Sequence, residues 1–244
     1  MALLSFQNVS QRSTDGRREV SVLTDVSFDI DPGEYVGLWG VRRSGKSTLL
    51  RLAAGIETPD EGAILFDGED LAQMDTEERV RQRRRGGIGL ARLELRPRGN
   101  RPVLEHIAYP LVGCKVGWDE AEALARRVLK RVEAADVEDL LTGELGSSEC
   151  VRVELARALV REPRLLLVDE PATLASPSEA RELYAQLRRL GRDKDMAVVI
   201  ASREAHALEG APRIFTVDNG RVRSTDSRRK VLPFRRGGAE PSAS

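Results

Sequence analysis

Gly40, Gly45, Lys46 and Ser47 stand in the stretch GVRRSGKST with the spacing GxxxxGK[ST], directly after the apolar run Tyr35–Trp39 and before Leu49–Leu52. A buried strand, a glycine-rich turn and a helix start in that order converge backbone N–H groups on one point, and the helix N-terminus adds a dipole that favours an anion. The chemistry expected is the cradling of a nucleotide's phosphates. Lys46 is expected to neutralise the β and γ phosphates and the Ser47 hydroxyl to ligate Mg2+, with Arg43, Ser44 and Thr48 completing the binding loop.

Asp169 and Glu170 follow the apolar run Leu165–Val168 in LLLVDEP. A carboxylate emerging from the end of a buried strand suits a second position on Mg2+, assigned to Asp169. Glu170 then stands where a general base or water-orienting group is needed beside the γ-phosphate, and is the candidate catalytic residue. A chance glycine turn explains the first motif and a helix cap the second, but neither explains both in one chain.

These residues need a scaffold, and 244 residues suit one large α/β domain or a core with a smaller appended subdomain. Basic and acidic residues balance at 39 each, so the net charge demands no nucleic acid and no anionic membrane. RVRQRRR at 79–85 is strongly basic, as a solvated helix end or as a binding patch. Two cysteines, Cys114 and Cys150, lack metal-ligand spacing and fit a reducing compartment. The opening residues lack a charged and apolar leader pattern, and no stretch approaches the ~18 apolar residues of a spanning helix. The expected location is cytoplasmic, and any membrane role runs through a partner rather than a direct span.

Hydrophobic patterning predicts strands at 2–9, 20–30 and 35–39, a helix at 47–54 ending at Gly55, and strands at 62–66 and 88–90. From 103 to about 141 the pattern is helical, and DEAEALARRVLKRV at 119–132 has the acidic start, basic end and apolar spacing of an amphipathic helix. Strands return at 165–168, 197–201 and 214–217, with a helix at 178–190 between the first two. That alternation implies a parallel sheet covered by helices. A tail from 224 carries RRK, RRGG and PSAS and is expected to be disordered in large part.

With both motifs in place, the chain resembles a nucleotide-binding subunit of the ATP-binding-cassette (ABC) transporters, and within them the lipoprotein-release, macrolide-efflux and cell-division branch. The similarity runs from about Leu4 to Val222 and includes FQNV at 6–9, VSFDI at 26–30, GAILFDG at 62–68, VLEHI at 103–107 and RVELARAL at 152–159. The resemblance implies an α/β P-loop core with a mostly parallel sheet and an antiparallel β-subdomain at 1–90 and 150–223. It also implies a helical subdomain at 91–149. It further implies ATP and Mg2+ as cofactors, a second ATP-binding subunit in a homo- or heterodimer, and a multispan membrane subunit, with no nucleic-acid partner. The subunit would lie at the inner face of the cell membrane, held there by its partner.

Departures from the family pattern are concentrated in one half of the machinery. The signature that caps the partner's γ-phosphate falls on Gly146, Ser147, Ser148 and Glu149, where two expected glycines are serines and the expected serine is a glycine. The family's γ-phosphate-sensing glutamine aligns with Leu93 and its histidine with Ser202, with His206 four residues further on. The dimer-contacting aspartate aligns with Ser176 and the adenine-stacking aromatic with the region of Ser13. Arg43 replaces a glycine common in the family. The expectation is a subunit that binds Mg-ATP and hydrolyses it weakly or only with a partner. Alternatives are a conventional ABC ATPase with variant motifs, and a structural or regulatory ATP-binding protein with no transport task.

Overall fold

The computed structural model describes residues 1–15, 18–74, 87–92, 100–170, 177–192 and 196–226. The basic segment at 79–85, Leu93, Ser176 and the chain from 227 onward lie outside the described residues.

The strands are β1 (Leu4–Asp15), β2 (Arg18–Ile30), β3 (Tyr35–Trp39), β4 (Glu61–Phe66), β5 (Glu69–Asp70), β6 (Ile88–Arg92), β7 (Leu165–Asp169), β8 (Ala197–Ser202), β9 (Arg213–Asp218) and β10 (Arg221–Asp226). The helices are α1 (Lys46–Ala53), α2 (Val103–Val112), α3 (Trp118–Arg131), α4 (Ser147–Leu159) and α5 (Pro177–Leu190), with short 3-10 turns at Ala135–Val137 and Ala205–Leu208. One sheet has the order β10-β9-β3-β8-β7-β6, parallel throughout except for β10. The other, β2-β1-β4-β5, is antiparallel. The α/β class and the mixture of a mostly parallel with an antiparallel sheet are as the sequence led one to expect.

β7 shows why the parallel sheet is central. All five of its residues are buried, and their side chains alternate between two cores, as the strand period requires. Leu166 and Val168 pack with α2, α3, α4 and α5, whereas Leu165 and Leu167 pack with α1 and the antiparallel sheet. β8 repeats the division, with Val198 and Ile200 on the first side and Ala197, Val199 and Ala201 on the second. Phe6 of β1 stacks on Phe28 of β2 at 4.6 Å, and Phe28 meets Phe215 of β9 at 4.8 Å, which ties the two sheets together.

α3 buries Ala121, Ala125, Val128 and Leu129 at helical spacing, with Asp119 and Glu120 in its first turn and Lys130 and Arg131 in its last. The helical pattern read from 103 to 141 resolves into α2, α3 and a 3-10 turn. Ser224, Thr225 and Asp226, expected from the sequence to lie in a disordered tail, continue β10 opposite Phe215, Ile214 and Arg213. The polar composition concealed that strand, which lies at the sheet edge and needs only one pairing partner. β1 likewise runs six residues past the expected end at Val9, through register shifts that its polar second half does not signal. No helix among the described residues is long and apolar enough to cross a membrane.

Candidate nucleotide-binding site

The carboxyl ends of the parallel strands lie level with one another. Trp39 is opposite Ser202, Asp169 is opposite Ala201, and Arg92 is opposite Asp169. Loops leaving this edge therefore meet, as ligand-binding loops do in parallel sheets. The glycine-rich loop leaves β3 here and enters α1, whose first backbone N–H groups have no partner within the helix.

Only glycine fits at two of its positions. A Cβ on Gly40 would lie 2.5 Å from the Val217 carbonyl oxygen and 2.6 Å from Ser44 Oγ. Gly45 has φ 109°, and a Cβ there would meet Leu23 Cδ2 at 2.8 Å and the Val22 oxygen at 3.0 Å. The loop is thus pressed against β2, and Val22 becomes part of its wall. Arg43 takes φ 61°, the left-handed conformation its glycine counterpart in the resembled family would adopt at no steric cost. Its side chain is exposed, so the position is strained rather than crowded.

Lys46 is 4% exposed, and its Nζ donates to the Gly40 carbonyl at 2.8 Å and the Val41 carbonyl at 3.1 Å. The same Nζ lies 3.3 Å from Glu170 Oε1. Glu170 follows β7 in a left-handed conformation, φ 44°, and its N–H donates to the Ala201 carbonyl at 3.0 Å. This outlier backbone aims the carboxylate back at the loop instead of along the strand. Glu170 Oε2 faces Arg203, 3.4 Å from both its backbone N and its Nε. Asp169 is buried at the strand end, 4% exposed.

A cavity of about 950 Å3 is lined by Lys46, Glu170 and Arg203 together with Ser44, Ser47, Thr48, Ser13, Thr14, Val20 and Ser21, and Asp169 is not among its lining residues. No aromatic side chain is among its lining residues. Arg42 and Arg43 line the mouth, so cations outnumber the single carboxylate. Ser44 Oγ is buried and has no hydrogen-bond partner among the described residues. Thr48 Oγ1 accepts a hydrogen bond from Arg51 Nη2 at 3.1 Å, which leaves its backbone N–H as the group offered to a ligand.

The remaining sequence-derived positions fall elsewhere. Ser202 is 1% exposed, and its Oγ accepts the Glu204 N–H at 3.1 Å rather than facing the loop. His206 belongs to the turn Ala205–Leu208, and its side chain is outside what is described. Gly146, Ser147, Ser148 and Glu149 form the start of α4 and line a second cavity of about 400 Å3 with Arg152, Glu133 and Glu182. Within one chain they do not meet the phosphate loop. Arg203, Asn219 and Gly220 line the main cavity and were not singled out from the sequence. Only Arg203 carried a signal, as a cation immediately after the strand that neighbours Asp169.

A phosphate loop at the carboxyl edge of a parallel sheet, with an Asp-Glu pair at the end of β7 one strand removed and Glu170 turned onto the loop lysine, defines a P-loop nucleotide-binding fold. Residues 23–173 match the family model described as ABC transporter, and the chain belongs to that family. Methionine import ATP-binding protein MetN 1 of Bacillus thuringiensis subsp. konkukian is 31% identical over 221 residues, covering 90% of this chain and 65% of that protein. Spermidine/putrescine import ATP-binding protein PotA of Chromobacterium violaceum is 33% identical over 237 residues, covering 96% of this chain and 62% of that protein. The chain therefore spans about two thirds of the length of these relatives. The ATP-binding cassette MJ0796, solved as a dimer in a post-hydrolysis state bound to ADP and Pi, superposes with a TM-score of 0.83. It is 25% identical, and the match covers 91% of this chain and 98% of that one. By name these curated relatives are import subunits, not members of the lipoprotein-release, macrolide-efflux and cell-division branch, so the family stands and the branch is not carried further.

Proposed function

We propose that the chain is the ATP-binding subunit of an ABC transporter, which holds Mg-ATP against the Gly40–Thr48 loop and pairs with a second ATP-binding subunit. It acts on a multispan membrane subunit and hydrolyses ATP slowly on its own. The observation that carries this reading is the 3.3 Å approach of Lys46 Nζ to Glu170 Oε1, which puts the phosphate-neutralising cation and the candidate base in one cavity.

The residues present fit the ligand. A Cβ at Gly40 or Gly45 would collide with Val217, Ser44, Val22 or Leu23, so glycine is what lets the loop take this shape, and Ser44 offers a buried hydroxyl with no hydrogen-bond partner among the described residues. No cluster of three or more His, Cys, Asp or Glu side chains among the described residues is placed to hold a metal by itself. That suits Mg2+, which keeps waters and phosphate oxygens and asks for one or two protein groups, here Ser47 and Asp169. When bound, Mg2+ and the triphosphate supply the electrophile and its charge neutralisation. Lys46 binds and orients the terminal phosphates, Glu170 orients or deprotonates the attacking water, and the first turn of α1 offers its N–H groups. The adenine would lie by Ser13, Thr14, Val20 and Ser21 with no aromatic among the cavity's lining residues, so affinity would rest on phosphates.

α4 begins away from this cavity, as a group serving the nucleotide of a second subunit would. With glycine at neither 147 nor 148, that cap is weaker than the resembled family's, and a partner with an intact signature completes the site. Calorimetric titration of Mg-ATP into the purified chain, alone and with a co-expressed membrane subunit, tests the proposal. Absence of nucleotide binding in both preparations overturns it.

A further inference from the structure

We propose that Arg203 reads the γ-phosphate in this site, taking over at the next residue the task that Ser202 cannot perform. The inference rests on the Mg-ATP reading above. Ser202 is buried, its hydroxyl accepts the Glu204 N–H, and it is not among the residues lining the cavity. Arg203, one residue further, reaches the cavity that holds Lys46, Ser47 and Glu170.

Its main chain is fixed from both sides. Trp39 Nε1 donates to the Arg203 carbonyl at 3.1 Å, and the Arg203 N–H donates to Glu170 Oε2 at 3.4 Å. The side chain is 45% exposed, a guanidinium on a long stem with Nε 3.4 Å from the same carboxylate oxygen. A fixed base and a movable fork are what a reader of an incoming anion requires.

Glu170 lies between two cations, Lys46 and Arg203. Lys46 Nζ is held by the loop carbonyls of Gly40 and Val41, and the Gly40 N–H donates to the Ser202 carbonyl at 3.4 Å, so the residue before Arg203 lies against the start of the same loop, where the proposed reading puts a terminal phosphate. A γ-phosphate offers the guanidinium more charge and more acceptor oxygens than the Glu170 carboxylate does, so Arg203 exchanges one for the other. A diphosphate ends short of it, and Arg203 stays on Glu170. Arg203 therefore discriminates three phosphates from two.

Isothermal titration of Mg-ATP and Mg-ADP into the wild-type chain, Arg203→Ala and Arg203→Lys tests this. Arg203→Ala is expected to weaken ATP about tenfold or more while leaving ADP within about threefold, and Arg203→Lys to fall between, having the charge without the fork. The same loss of ATP preference is expected in a Glu170→Gln background, because Arg203 acts on phosphate directly. Arg203→Gln replaces the alanine variant if that fails to fold. Equal weakening of both nucleotides, an unchanged ratio, or an effect that vanishes in the Glu170→Gln background overturns the role of Arg203 and leaves the proposed function standing. A wild-type chain that binds neither nucleotide, alone or with the membrane subunit, overturns both.

Discussion

Glu149 Oε2 accepts the backbone N–H of Gly146 at 2.6 Å, so the amino end of α4 is closed by a carboxylate from its own first turn. The helix dipole that would attract a partner's γ-phosphate is therefore met by an internal anion held on the Gly146 N–H. Gly146 has φ −67°, a conformation open to any residue, so the glycine there is not a backbone requirement.

The first prediction follows from that contact. Glu149→Gln keeps a hydrogen-bond acceptor and removes the charge, at a cost of about 0.3 to 1 kcal/mol in stability from the lost dipole interaction. In a Glu170→Gln background with Mg-ATP, it should tighten nucleotide-dependent pairing of two copies by roughly tenfold, equal to about 1.4 kcal/mol. Sedimentation equilibrium reads the constant. An unchanged constant shows that the charge at the α4 terminus does not limit pairing.

Lys46→Ala should abolish Mg-nucleotide binding, because Lys46 is the one buried cation among the described residues of the cavity. Wild-type affinities for ATP and GTP should agree within about threefold, under 1 kcal/mol, since no aromatic lines the base end and phosphate contacts dominate. Titration calorimetry with both nucleotides checks each half. Retained binding in the variant would place the phosphates elsewhere.

Much of this site was legible in the sequence because its residues work through the backbone. Gly40 and Gly45 are glycine for reasons visible in their spacing, and a buried strand followed by Asp169-Glu170 needs no contact map to be noticed. The Glu149 contact with Gly146 was not legible, and Arg203 was so only as a cation following a strand. Each depends on where a side chain turns after a strand or helix end, and alignment by family pointed to Ser202, whose hydroxyl faces Glu204 instead. The wall at Val20–Val22 was hidden for another reason: it comes from the antiparallel sheet, whose packing on the loop is set by a non-local fold.

Burial pushes the Tyr35 and Tyr184 phenols from 10.0 up to about 12; Arg188 opposes the shift at Tyr35, and Ser202 opposes it at Tyr184. The folded state then keeps protons that the unfolded chain has released. This stabilisation is fully present below pH 10 and is lost as pH rises through about 12, at up to about 1.4 kcal/mol per unit for each tyrosine. Urea unfolding between those limits should show the midpoint falling. Tyr35 Oη has no hydrogen-bond partner among the described residues, so Tyr35→Phe should gain about 1 kcal/mol at neutral pH and flatten the alkaline decline. A destabilised Tyr35→Phe would mean that the hydroxyl is satisfied in solution.

The last prediction concerns turnover. Glu170 is positioned between Lys46 and Arg203, but Ser202 is not among the cavity's lining residues and position 93 is leucine. Arg203 brings charge to the γ-phosphate yet has no acceptor nitrogen with which to order water, unlike a histidine. Loss of one preorganised contact typically costs ~2.7 to 4 kcal/mol of transition-state stabilisation, and loss of two leaves turnover slow even when the effects do not add. The purified chain alone should therefore release phosphate little faster than its Glu170→Gln variant. Leu93→Gln with Ser202→His should raise the rate only when a second subunit with a glycine-containing signature is supplied. Since Ser202 is 1% exposed, the histidine should itself cost about 1 to 3 kcal/mol in stability through overpacking, which a melting curve reports. Robust Glu170-dependent phosphate release by the wild-type chain alone would establish a conventional ATPase whose altered motifs are working variants.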